Sequence, residues 1–273
     1  MKSFLSSYPV LARFILSVVM FGLALLIGTV IDGPLWKRYF PYLSFLLLLL
    51  VTWLLYKWDG QHLGALGLQI TRRHMMFLFF GVLIGAASFM LANLARSFYT
   101  GESITLSKEI DFRTVFGAFY FILPTVAVEE LLFRGYLFKK TISVTNAVVA
   151  NVIFAMLFML IHVVDESVLR SPGRLVMLVI SIPVGHLFFA TALLRSNTLY
   201  FPIGLHLGNN WATRHLISGA DDGNSILVVL GRTNFDDWPS FIGLLMIYNG
   251  VFVLVTYCIW KWSPGKRGLL KGR

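Results

Sequence analysis

Long apolar runs alternate with short polar segments along the whole chain. Most of these runs approach the roughly 20 residues that an α-helix needs to cross the hydrocarbon core of a bilayer. The eight runs cover approximately residues 11–30, 40–56, 75–94, 114–138, 146–164, 174–194, 197–213 and 241–260. None of them alternates apolar and polar residues with the period of two that is typical of a membrane barrel. The pattern predicts an all-α polytopic membrane protein with about eight transmembrane helices.

The composition agrees with a membrane location. The chain of 273 residues is 57% hydrophobic and 13% charged, whereas about a quarter of the residues of an average soluble domain are charged. A single cysteine, Cys258, excludes an internal disulfide framework and a cysteine-rich metal site. The sequence has no recognisable repeat, low-complexity linker or soluble segment. We therefore expect a single membrane domain over residues 1–273.

The distribution of charge predicts the orientation of the helices. If the N-terminus lies inside, 14 of the 23 Lys and Arg residues fall in cytoplasmic segments, and 10 of the 13 acidic residues fall in outer loops. Basic residues favour the cytoplasmic side of membrane proteins. We therefore expect a multi-pass protein of the cell inner (cytoplasmic) membrane with both termini in the cytoplasm. The net charge of +10 then reflects orientation and contact with lipid head groups, and no nucleic-acid partner is expected.

Three charged residues interrupt the fourth apolar run. Glu129, Glu130 and Arg134 lie in VEELLFRG, where an ionisable side chain costs about 2.5–3.5 kcal/mol on insertion scales and therefore suggests a function. On a helix Glu130 and Arg134 are four residues apart and can pair, whereas Glu129 points about 100° away. Glu129 is thus left as a spare carboxylate suited to general-base work. The alternative is a structural ion pair beside a second acid that reaches water.

Histidines interrupt three other apolar runs. His162 ends FAMLFMLIHVV, with Phe158 one turn earlier on the same face; the alternative is a histidine at the outer interface. His206 and Asn210 share a helical face in PIGLHLGNNW; the alternative is hydrogen bonding between helices. His186 has no polar residue four positions away, and we interpret it as a packing or interhelical hydrogen-bonding residue.

The helix positions of these residues place them at similar depths. At 1.5 Å per residue, Glu129, His162 and His206 lie about 15, 24 and 16 Å from the predicted cytoplasmic ends of their helices. We therefore expect them to meet, together with Asn210, in a polar catalytic chamber near the middle of the bilayer or slightly towards its outer leaflet.

The residue types limit the chemistry of such a chamber. The sequence contains no GxSxG, GxSG, HExxH or GxGD motif. No serine or cysteine is found beside a base, so the sequence offers no candidate for a covalent nucleophile. A carboxylate, two imidazoles and a carboxamide can activate water and stabilise an oxyanion. These are the two requirements of amide hydrolysis.

The same residues form three motifs of a known family. EELLFR (residues 129–134) fits EExxxR, Phe158–His162 fits FxxxH, and His206–Asn210 fits HxxxN. In this order and spacing they resemble the CPBP/Abi family of eight-helix intramembrane glutamic proteases, which includes type II CAAX prenyl endopeptidases and bacteriocin-processing enzymes. The resemblance covers a motif-bearing core of about residues 110–215.

The resemblance implies a role for each motif residue. Glu129 would be the general base on a catalytic water, assisted by His162, and His206 with Asn210 would bind the oxyanion. Glu130 and Arg134 would orient the site, with Phe158 in support. The expected substrate is a membrane-associated or lipid-modified protein or peptide, and no cofactor or metal is expected.

Two alternatives remain open at this point. Glu129, His162 and His206 are suitable zinc ligands, which would make the protein an intramembrane metalloprotease. A non-catalytic bacteriocin-immunity or scaffold protein is the second alternative. The substrate is open as well, because a prenylated C-terminus would be cut at the cytoplasmic face, whereas the depth of the predicted chamber favours a cleavage site that enters the membrane.

Overall fold

The computed structural model describes residues 9–31, 33, 38–231, 233 and 237–262. These residues form mainly α-helices, joined by short segments, and one small sheet. The helices are α1 (Pro9–Ile31), α2 (Leu43–Trp58), α3 (Arg72–Thr100), α4 (Phe112–Arg134), α5 (Tyr136–Val144), α6 (Ala147–Val163), α7 (Glu166–Leu169), α8 (Pro172–Ser196), α9 (Tyr200–Trp211) and α10 (Trp238–Lys261). A 3-10 turn (Leu63–Leu66) precedes α3, and a π-helical segment (Ala212–Leu216) follows α9.

The all-α polytopic class predicted from hydropathy is confirmed. Among the described residues, five segments are long and apolar enough to cross a membrane: Val10–Ile31, Arg72–Thr100, Phe112–Val144, Pro172–Ser196 and Trp238–Lys261. The other three predicted runs also contain helices, but α2, α6 and α9 have only 16, 17 and 12 residues. These lengths are short of the roughly 20 residues of a full span. A helix is present at every predicted run, while eight complete crossings stay a prediction.

A small sheet joins two loops at one end of the helices. β1 (Ser103–Leu106) pairs antiparallel with β3 (Leu227–Leu230), with Ser103 opposite Leu230, and β2 (Ile217–Ser218) pairs parallel with β3. The sheet connects the segment between α3 and α4 to the segment between α9 and α10. The hydropathy pattern does not predict these strands, because two to four residues are too few to show a periodicity.

Glycines allow α3 and α9 to pack with their backbones in contact. Gly81 and Gly85 lie on α3, and Gly204 and Gly208 lie on α9, four residues apart in each helix. A Cβ atom at any of these glycines would come within 3.0 Å of the facing backbone. This is the small-xxx-small arrangement that brings membrane helices close together. Because His206 lies between Gly204 and Gly208, the same contact fixes its position.

Two carboxylates lie at opposite ends of the helices. At the end away from the sheet, Asp59 accepts hydrogen bonds from Tyr136 (2.8 Å) and Lys140 (3.0 Å), and Arg13 Nη2 lies 3.4 Å away. Burial alone would raise the pKa of Asp59, but the hydrogen bonds from Lys140 and Tyr136 outweigh it, and the pKa is lowered. Asp59 thereby ties together α1, α2 and α5.

Glu102 is the corresponding carboxylate at the end that carries the sheet. Arg96 donates to it through Nε (2.7 Å) and Nη2 (2.6 Å), and the backbone N–H of Thr233 donates at 2.8 Å. The hydrogen bonds from Arg96 are the main reason why the pKa of Glu102 is lowered, although burial acts in the opposite direction. The two clusters lie at opposite ends of the helices, as expected if successive loops alternate between the two sides of the membrane. Which end of the helices is cytoplasmic stays a prediction.

Candidate active site

Glu130 is the central side chain of a buried polar cluster. It is fully buried, and its Oε1 accepts hydrogen bonds from Arg134 Nη1 at 3.2 Å and from His206 Nδ1 at 2.8 Å. The expected pair of Glu130 with Arg134, four residues apart on α4, is therefore present. The contact between Glu130 and His206 was not expected, since it depends on how α9 packs against α4.

Glu129 is the carboxylate that remains available. Its Oε2 lies 3.7 Å from His206 Nε2, and this oxygen has no hydrogen-bond partner among the described residues. The side chain is 22% exposed and lines a cavity. The two adjacent glutamates thus differ as the helical geometry predicts, because Glu130 is fully buried and accepts from Arg134 and His206 through Oε1, whereas Glu129 lines the cavity.

The ring of His206 is held by a stacking contact and a hydrogen bond. Phe189 stacks on it with a centroid distance of 4.5 Å and an interplanar angle of 16°. Glu130 also accepts from Arg134, so it acts as an ionised acceptor, and we assign the Nδ1 proton of His206 to that hydrogen bond. Nε2 is then the atom that faces Glu129.

Phe158 packs between the other members of the cluster. Its ring lies 4.2 Å from the guanidinium carbon of Arg134, and its centroid lies 4.6 Å from that of His162 and 6.3 Å from that of His206. His162 Nδ1 lies 2.7 Å from the backbone carbonyl of Phe158, which can only accept. The neutral ring of His162 therefore carries its proton on Nδ1, and Nε2 is free to accept one.

A cavity of about 880 Å³ contains the available atoms of this cluster. Glu129, His162, His206 and Asn210 all line it, so the four predicted catalytic residues share one space. Asn209 lines it as well, and its Oδ1 has no hydrogen-bond partner among the described residues. The cavity continues from the cluster towards β2, β3 and the first turns of α10, the end of the molecule at which the sheet lies.

His186 lies behind the cluster and outside the cavity lining. Its side chain is fully buried, with ring centroids 5.9 Å from Phe138 and 6.4 Å from Phe158. This supports the expected packing role. Neither ring nitrogen has a hydrogen-bond partner in the described part of the chain, so the other expectation, an interhelical hydrogen bond, is not observed.

Sequence reasoning missed a second polar group on the cavity wall. Asn93 and Arg96 of α3, Ser181 of α8 and Asn249 of α10 all line the cavity. They belong to no motif of the resembled family, and they lie on helices that carry no motif residue. The available signal was a polar side chain within an apolar run, as at Asn93, Ser181 and Asn249.

The zinc alternative finds no support in this geometry. Within the described residues, no group of three or more His, Cys, Asp or Glu side chains is arranged to hold a metal ion.

Comparison with known proteins identifies the central part of the chain. Residues 111–212 match the family model described as Rce1-like, type II CAAX prenyl endopeptidase Rce1-like. The matched segment contains EExxxR, FxxxH and HxxxN, and it nearly coincides with the expected core of about residues 110–215. The predicted family resemblance is therefore confirmed. The comparison with curated proteins gave no match, and neither did the comparison with solved structures.

Proposed function

Residues 111–212 match the Rce1-like family of type II CAAX prenyl endopeptidases, and on this premise we propose that the protein is an intramembrane endopeptidase in which Glu129 activates water. One observation carries the proposal: Glu129 lines the cavity with its Oε2 unpaired, 3.7 Å from His206 Nε2, while Arg134 and His206 both donate to Oε1 of its neighbour Glu130. A structural ion pair needs only Glu130 and Arg134. The second acid, kept unpaired beside two imidazoles, is what hydrolysis requires.

The proposed reaction proceeds by addition and elimination. Glu129 removes a proton from a water molecule as its oxygen attacks the carbonyl carbon of the scissile peptide bond. The carbonyl oxygen becomes an oxyanion, which accepts hydrogen bonds from Asn210 and His206. When the C–N bond breaks, the leaving nitrogen takes the proton that Glu129 had received. His162, with Nε2 free, assists by accepting a hydrogen bond from the water.

The protonation state of His206 is part of this mechanism. Its Nδ1–H is engaged by Glu130, so Nε2 can donate to an oxyanion only if the ring carries a second proton. Charge balance favours that state, because Glu129 and Glu130 bring two negative charges and Arg134 brings one positive charge. We propose that His206 acts as an imidazolium and completes the neutralisation of the cluster.

The cavity supports a substrate that is bound within the membrane. Its wall is rich in apolar side chains of α8 and α10, and it also reaches the polar cluster, as a membrane-associated or lipid-modified peptide requires. With the predicted orientation in the cytoplasmic membrane, the cavity extends towards the outer side. We therefore propose that the scissile segment enters the bilayer to reach Glu129.

Substitution of Glu129 tests the function directly. Membranes from wild-type cells and from a Glu129→Gln strain should differ by the accumulation of an uncut precursor in the variant, detected by quantitative proteomics of peptide termini. Glu166→Gln removes an exposed carboxylate that pairs with Arg170, also four residues away, and serves as the matched control with normal processing.

Other outcomes identify the alternatives. Full processing in the Glu129→Gln strain would refute the proposal, and complementation of a deletion by Glu129→Ala would support a non-catalytic role. Loss of activity with a strong chelator, followed by recovery with zinc, would support a metalloprotease.

A further inference from the structure

Two asparagines on the cavity wall are almost completely buried. Asn93 on α3 and Asn249 on α10 are 7% and 6% exposed. Phe89, one turn before Asn93, contacts the ring of Tyr248 with a centroid distance of 6.4 Å. Since Tyr248 directly precedes Asn249, this contact places the two asparagines on neighbouring parts of the wall. Both line the cavity that contains Glu129.

The amide nitrogens of both asparagines are engaged by acceptors of the protein itself. Asn93 Nδ2 donates to the backbone carbonyl of Phe89 at 3.0 Å. Asn249 Nδ2 donates to Leu245 O at 2.8 Å and to Ser181 Oγ at 3.0 Å. The partners of these bonds are backbone carbonyl oxygens and one hydroxyl oxygen. Because a carbonyl oxygen can only accept, the side-chain atom that faces it must be the amide nitrogen, and this assigns the orientation of each asparagine.

The side-chain carbonyl oxygens are left for the cavity. Neither Asn93 Oδ1 nor Asn249 Oδ1 has a hydrogen-bond partner in the described part of the chain, and both residues line the open space. An acceptor in an apolar setting costs free energy when it stays unpaired. The asparagine site, defined by Asn93, Ser181 and Asn249, is therefore complementary to a ligand that carries hydrogen-bond donors.

The charged pair next to Asn93 offers no net charge to an acidic ligand. Arg96 lies one turn beyond Asn93 and lines the same cavity, but Glu102 accepts from its Nε and Nη2. The pair is neutral, so it offers no net positive charge to a carboxylate. A purely apolar chain is also a poor fit, since it would leave both asparagine oxygens unpaired.

The distance to the catalytic cluster follows from helix geometry. Gly85 of α3 lies against the backbone of Leu205 and Asn209, at the level of His206. Asn93 lies eight residues further along α3, which is about 12 Å nearer to the sheet. An extended peptide advances about 3.3 Å per residue. The asparagine site is therefore about three or four residues away from a peptide bond held at Glu129.

From these observations we propose that Asn93 and Asn249 bind backbone N–H groups of an extended substrate, three or four residues from the scissile bond. The proposal rests on the proposed endopeptidase function and adds a peptide-binding subsite to it. Contacts with main-chain groups recognise an extended conformation rather than a side chain. The subsite would thus align peptides of different sequence with Glu129.

The test is a chemical double-mutant cycle with the full chain in lipid nanodiscs. The probe is a fluorescein-labelled, prenylated CAAX-box peptide, together with analogues that are methylated at one backbone nitrogen each and cannot donate there. With the wild-type protein, methylation three or four residues from the cleaved bond should raise KM about five- to tenfold, the loss expected for one hydrogen bond. With Asn93→Leu or Asn249→Leu, KM should already be raised, and the same methylation should add little.

Asn151→Leu is the matched control for both variants. Asn151 on α6 makes the same type of bond to the carbonyl four residues earlier, Nδ2 to Ala147 O at 2.7 Å, and it is not among the cavity-lining residues. This variant should keep the full methylation penalty. If methylation raises KM by the same factor for the wild type, Asn93→Leu and Asn249→Leu, the subsite proposal is overturned.

The measurement also separates the subsite from the hydrolytic function. If the wild type does not cleave the probe, the proposed function fails for it, and binding to Glu129→Gln is followed by fluorescence anisotropy instead. The subsite is supported independently if methylation of a particular backbone nitrogen weakens binding to Glu129→Gln and the same methylation has no effect when Asn93→Leu is also present. If no single backbone methylation changes KM or binding in the wild-type background, the subsite proposal is overturned. This comparison does not depend on the folding of an Asn93 or Asn249 variant.

Discussion

The two sides of the cavity are built in different ways. On the side of the catalytic cluster, α3 and α9 meet through glycines and backbone atoms, and a fully buried ion pair supports His206. On the opposite side, α8 and α10 are joined across the wall by the hydrogen bond between Asn249 and Ser181 and by apolar side chains. The comparison indicates that the proposed catalytic groups are held rigidly by backbone contacts, whereas the proposed substrate-facing wall depends on side chains that can be exchanged.

The largest expected effect is the loss of Glu130. Glu130→Ala leaves Arg134 buried without its partner and frees Nδ1 of His206. Removal of one member of a buried pair costs about 3–5 kcal/mol, and we expect a large fall in the unfolding temperature. Glu166→Ala breaks an exposed pair of the same spacing and should leave that temperature nearly unchanged. Equal stability of the two variants would show that the cluster does not support the fold.

A smaller loss is expected at the glycine contact. Gly85→Ala places a methyl group against the backbone of α9, and such overpacking costs about 1–3 kcal/mol. Gly117 on α4 has no atom within 4 Å of an added Cβ, so Gly117→Ala should be neutral or slightly stabilising. Denaturation of both variants in the same detergent compares them. A stable Gly85→Ala variant with normal activity would contradict the tight packing of α3 against α9.

A pH-dependent effect is expected at the sheet end. The pKa of Glu102 is lowered in the folded protein, so its stabilisation is present above the ordinary carboxyl pKa of about 4.3 and is lost as the pH falls through the lower folded value. Glu102→Gln should cost about 1.5 kcal/mol near pH 7. The difference from the wild type should stay constant down to about pH 5 and shrink as the pH falls further. A difference that stays constant with pH would exclude an ionised Glu102 as its cause.

The smallest effect is expected on the cavity wall. Ser181→Ala removes one acceptor of Asn249 Nδ2, but the bond to Leu245 O remains. Interhelical hydrogen bonds in membranes contribute about 0.6 kcal/mol on average, so the unfolding temperature should change by little more than experimental error. A loss as large as that of Gly85→Ala would mean that the wall is as rigid as the catalytic side.

The helices and the motif residues could be predicted from the sequence because both depend on local spacing. Apolar runs marked the helices, and the four-residue spacing of Glu130 and Arg134 gave their pairing. The sharing of Glu130 between Arg134 and His206 could not be predicted, since it is set by the packing of α9 on α4. Asn93 and Asn249 were missed for a similar reason: only the fold brings α3 and α10 to the same cavity.

The glycine contact between α3 and α9 has a consequence for how such an enzyme changes its preferences. Because the backbone itself sets the place of His206, replacements on α8 and α10 can reshape the recognised peptide while bond cleavage is retained. A variant library confined to cavity-lining positions of those two helices, apart from Phe189, which stacks on His206, is therefore the natural starting point for engineering altered selectivity.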